Sequence, residues 1–125
     1  MNNKINITST EMINNDLLLK TESKLDMLAI EPMMQMLVDS DNLSFIYIVD
    51  YHGAYTYICI PDSIWPALKS ALDANARVFL NIEGGSVLLP NFLEELSYLI
   101  ENIEGNSNYG QHMVGKVEDI FSNPV

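Results

Sequence analysis

The sequence predicts an α+β fold: an antiparallel sheet of about five to six strands, with two to three helices packed on one face. Three observations carry this expectation. Runs rich in β-branched and aromatic residues fill the first half of the chain. Apolar residues at helical spacing are concentrated in the C-terminal half. Asn, Asp and Gly punctuate neighbouring runs closely enough to close hairpins. With 125 residues, 48% of them hydrophobic and 18% charged, the chain suits one domain over 1–125 whose core needs no covalent staples.

The elements follow in order. Residues 4–22 alternate in two bursts around Asn14-Asn15-Asp16, with Ile5 and Ile7 two apart and LLLKTE after the polar break, so a hairpin is expected. Pro32 divides residues 25–38 into a short strand before it and a helical turn or an extended segment after it. That stretch holds four of the seven methionines, Met27, Met33, Met34 and Met36. Such residues fill core gaps more often than they form adaptable binding surfaces. LSFIYIVD and AYTYICI read as strands joined tightly by Asp50-Tyr51-His52-Gly53. On the second, Tyr55, Tyr57 and Cys59 share one face, and Thr56, Ile58 and Ile60 share the other. Both faces are apolar, so the pair is expected to be central, with helices on one side.

Pro61-Asp62-Ser63 then stops the strand and offers capping oxygens to a helix reaching about Ala74. Ile64, Trp65, Leu68, Ala71 and Leu72 form its apolar stripe, and Pro66 sits in the first turn, where a missing N–H costs little. ARVFLNIEGGSVLLP reads as two strands about Gly84-Gly85. Asn91 with Glu94 resembles a capping box ahead of a helix whose stripe is Phe92, Leu96, Leu99, Ile100 and Ile103. Gly105 stands at the C′ place of that helix. A last helix puts Met113, Val114, Val117, Ile120 and Phe121 on one side.

Charge excludes some functions. Six Lys and Arg against seventeen Asp and Glu give −11. Nucleic-acid affinity comes largely from basic residues displacing counterions, and here the six are scattered with no two adjacent, so no nucleic acid is expected. An acidic membrane surface would repel the chain as well. The N-terminal MNNKINITSTEM has neither the basic start nor the apolar core of a signal peptide, so a cytoplasmic location is the default. The one cysteine, Cys59, has no intrachain partner and reads as a small buried hydrophobe.

No catalytic constellation emerges. GxSxG, GxxxxGK[ST], GxGxxG, CxxC and HExxH are all missing, and His52 and His112 are the whole imidazole supply, so neither a metal nor a cofactor is expected. Asp39-Ser40-Asp41-Asn42 resembles the opening of a calcium loop, but Ser44 and Asp50 stand where that loop needs Gly and Glu, so a turn held by Asx hydrogen bonds is the better reading. Asn106-Ser107-Asn108-Tyr109-Gly110 joins two helices, with Tyr109 packing down over the junction. Trp65 could anchor an interface, though its place on the apolar stripe favours the core.

LVDSDNLSFIYI (37–48), IPDSIWPAL (60–68) and YLIENIEGNSNYG (98–110) together resemble the uncharacterised YjbL-type family of small Bacillales proteins, over about residues 36–121. The resemblance implies a bacterial, cytoplasmic protein and supplies no activity. Its matching positions, Asp39, Asp41, Asn42, Trp65, Asn106, Asn108, Tyr109 and Gly110, are where a shared ligand or partner site is expected. Two functions compete. The first is a non-enzymatic protein-binding or regulatory module, which would use an acidic face or a sheet edge to meet a protein partner or a second copy of itself. The second is a small enzyme or ligand-binding protein with a pocket near Asp39, Asp41, Asn108 and Tyr109, where carboxylates and a phenol could do acid–base work.

Overall fold

The computed structural model describes residues 3–122. Seven strands occupy Lys4–Ile13 (β1), Asp16–Thr21 (β2), Ile30–Asp39 (β3), Ser44–Tyr51 (β4), Ala54–Pro61 (β5), Arg77–Ile82 (β6) and Gly85–Leu88 (β7). Three α-helices span Trp65–Ala74 (α1), Phe92–Ile103 (α2) and Gln111–Val117 (α3), and a wider turn over Glu118–Ser122 continues α3. The fold is therefore α+β, with its helices in the C-terminal half.

Local turn chemistry sets the hairpins. Asn14 takes φ 56° between β1 and β2, and His52 and Gly53 take φ 53° and 80° between β4 and β5. Two consecutive positive φ values match the right-handed twist of the flanking strands. The β6–β7 turn turns on Gly84, φ 95°.

The order across the sheet is β3-β4-β5-β1-β2-β6-β7. This corrects the expected antiparallel sheet of five to six strands: it is mixed and has seven. β1 lies parallel to β5 through residues 4–6, and β2 lies parallel to β6 through residues 16–20. Both parallel contacts join segments far apart in sequence, where no turn signal reports the pairing. The seventh strand is β3. Its extended course continues through Pro32, and β3 lies at the edge of the sheet with an irregular register next to that residue, the setting to which sheets confine proline. The chain kinks at Met34, φ 56°, and the register with β4 shifts between Pro32 and Met36.

The helices cover one face of this sheet. Phe45 packs on Trp65 at 4.8 Å and on Phe121 at 6.1 Å, and Tyr47 stacks on Phe92 at 5.6 Å. Ile5, Ile7, Leu17, Leu19, Ile58, Ile60, Val78 and Leu80 complete the strand side of that core. Leu68, Ala71, Leu96, Ile100, Ile103, Met113 and Val117 close it from the helices, along the expected stripes.

Two expected caps are not used. Asn91 takes left-handed backbone, φ 62°, and its side chain makes no capping hydrogen bond. Asp62 and Ser63 lie inside a tight 3-10 turn, Asp62–Ile64, that leads into α1, so neither caps it. Among the described residues no helix is long and apolar enough to cross a membrane.

Candidate functional site

Asp39 ends β3 and organises the turn into β4. Its Oδ1 accepts from the Asn42 backbone N–H at 3.3 Å, and its Oδ2 accepts from the Asn42 side chain at 2.8 Å. Both residues are thereby engaged within the turn, as an Asx-stabilised reversal requires. Asp41 stays exposed beside them.

The second expected segment folds around Asn106. Its side chain accepts from the Asn108 backbone N–H at 3.1 Å and donates to the Asn102 carbonyl at 3.1 Å, tying the loop to the end of α2. Gly105 takes φ 69°, and its N–H donates to Glu118 Oε2 at 2.9 Å. Tyr109 is half-buried against the core, Asn108 is exposed, and Gly110 takes φ 89° ahead of α3.

The fold brings these two segments together. A cleft of about 320 Å³ is lined by Ser40, Asp41, Leu43, Tyr109, Gly110, Gln111, His112 and Met113. Of the expected residues, Asp41, Tyr109 and Gly110 line it. Asp39, Asn42, Asn106 and Asn108 do not, and the first three support the two turns. Trp65 lies elsewhere: it is fully buried, and its indole N–H donates to the Ile60 carbonyl at 3.1 Å, so it offers no surface to a partner. Sequence reasoning did not join His112 and Gln111 to this cleft. Both sit at the start of α3 right after Gly110, but only the tertiary fold sets that helix start against the 39–43 turn.

A second feature is the sheet face that carries no helix among the described residues. Strand alternation sends every second side chain there, and the register places Leu37, Ile46 and Cys59 in one cross-strand row and Ile48 beside Tyr57 in the next. None of these belongs to the helix-side core. Ile46 and Ile48 are shielded by their neighbours, whereas Leu37 is 40%, Tyr57 36% and Tyr55 64% exposed. Leu18, Phe79 and Leu88 form a further apolar row on the same face. Burial pushes the Cys59 thiol above its usual range. The shared face of Tyr55, Tyr57 and Cys59 was legible as alternation; that the described helices all pack on the opposite face was not.

The model of UPF0738, a family of unknown function, matches residues 5–121. A UPF0738 protein of Bacillus mycoides (strain KBAB4) is 37% identical over 122 residues, 97% of this chain and 99% of the relative. UPF0738 proteins of Bacillus cereus (strain G9842) and Bacillus thuringiensis (strain Al Hakam) are each 38% identical over the same shares. No solved structure matches significantly.

Proposed function

We propose, from the premise that this chain belongs to the UPF0738 family of unknown function, that it is a cytoplasmic one-domain module that binds another protein without catalysis. Segments 37–48, 60–68 and 98–110 support a finer, YjbL-type relationship.

The observation that carries the reading is the helix-free sheet face, where Leu37, Tyr55 and Tyr57 stand exposed beside Ile46 and Ile48. Exposed apolar side chains gathered on one face in this way mark interaction surfaces, and tyrosine is a favoured anchor residue at them. The test compares the intact protein with a Tyr55→Ser/Tyr57→Ser variant in affinity capture at physiological salt, with sedimentation run alongside. Both side chains are exposed, so the melting temperature should hold while a specific partner is lost. Identical capture by both proteins would sink the reading, and a dimer abolished by the variant would make the partner a second copy.

A second reading has its own support in the 320 Å³ cleft that unites Asp41, Tyr109 and His112. It makes the protein a small enzyme or ligand binder with an acidic and amide pocket near Asp39, Asp41, Asn108 and Tyr109. Screening a metabolite library by thermal shift and by turnover tests it. A hit abolished by Asp41→Asn and retained by Tyr55→Ser/Tyr57→Ser would put this reading first.

A further inference from the structure

The exposed side of α2 carries a feature separate from the sheet face. Glu94, Tyr98 and Glu101 fall at i, i+4 and i+7 and so share one helix face. Together with Leu72 and Asn75 from the end of α1, and with Leu93 and Ser97, they line a cleft of about 450 Å³. Leu72 and Leu93, both half-buried against the core, are its aliphatic lining. Tyr98 is 63% exposed, large for an aromatic ring on a helix already anchored by Phe92, Leu96 and Ile100.

Its electrostatics are one-sided. No cation lines the cleft, and among the described residues neither Glu94 nor Glu101 has an ion-pair partner within 4.0 Å. The lysine on α1, Lys69, is engaged by Asp73 at 3.0 Å. The two carboxylates are separated by seven residues, about 10 Å along the helix axis.

We infer that this cleft, between the C-terminal end of α1 and the exposed face of α2, docks a basic amphipathic helix of a partner protein. An apolar side chain of the partner lies on Leu72 and Leu93 and against the Tyr98 ring. Two cations seven residues apart in that helix meet Glu94 and Glu101. A helix fits because its own seven-residue spacing repeats that of the two carboxylates, so one of its faces meets both, and because an amphipathic helix carries apolar and basic side chains together. Lys or Arg beside Tyr98 gains a further cation–π contact. The −11 net charge steers such a segment toward the protein.

The probe is a synthetic helical peptide of leucine and lysine with two lysines seven residues apart flanking a leucine, its binding read by fluorescence anisotropy. Glu94→Gln/Glu101→Gln should weaken binding by about tenfold or more, and Tyr98→Ala by about tenfold. Glu22→Gln/Glu83→Gln removes the same charge from exposed positions outside the groove and should change affinity by less than about twofold. Tyr55→Ser/Tyr57→Ser should leave binding intact, which separates this groove from the sheet-face reading. Absence of binding, equal losses from both glutamate pairs, an unaffected Tyr98→Ala, or loss on the sheet-face variant would each overturn the proposal.

Discussion

At the scale of single residues, three side chains allow sharp expectations. Gly105 holds φ 69°, and nothing lies within 4 Å of where a Cβ would stand. Gly105→Ala should therefore destabilise through backbone strain alone, by about 1 kcal/mol in chemical denaturation. Tyr109 is half-buried against the core, so Tyr109→Ala should cost about 2 kcal/mol in the same experiment, less than a fully buried ring would. Tyr47 is fully buried, and its hydroxyl donates to the Pro90 carbonyl at 2.7 Å. Burial raises its pKa from 10.0 to about 12. Above pH 10 the unfolded chain releases this proton before the folded one does, so stability present below pH 10 should decline as pH rises toward 12. Tyr47→Phe should lose about 1 kcal/mol at neutral pH, from the missing hydrogen bond, and should flatten that alkaline decline in thermal melts.

At the scale of elements, the kink in β3 is the instructive case. Met34 adopts left-handed backbone and is 51% exposed, so its side chain buries little to offset the strain. Met34→Gly should be neutral or stabilising by up to about 1 kcal/mol in thermal melts. Met36, two residues on, is buried against the core, so Met36→Ala should cost about 2–4 kcal/mol. The alternation of polar and apolar residues around Pro32 is too irregular to show this kink. By contrast, three hairpins and the stripes of α1 and α2 were legible because Asn14, Gly53, Gly84 and the helical spacing of Leu68 with Ala71 and of Leu96 with Ile100 act within a few residues.

For the whole molecule, β1 is the seam. Its first residues pair with β5 and the remainder with β2, so it joins β3-β4-β5 to β2-β6-β7. Ile5 and Ile7 on this strand are both buried in the core. Ile5→Ala should then lower amide protection in both halves together during hydrogen exchange, with Ile58 and Leu80 as reporters. Loss confined to one half would show that the halves unfold separately.

The sequence by itself determined the α+β class, three of the four hairpins, the buried stripes of the helices and the left-handed Gly105. Each of these depends on residues close together in the chain, where turn dihedrals and side-chain periodicity act directly. Only the tertiary structure decided that β1 stands between β5 and β2, that Asp41 lines one cleft with Tyr109 and His112, and that the described helices all pack on the same sheet face. Those outcomes depend on long-range pairing, in which many apolar strands could satisfy one another's hydrogen bonds equally well. The choice among them falls to how the Phe45, Trp65 and Phe121 rings and their neighbours pack together, and no local pattern encodes it.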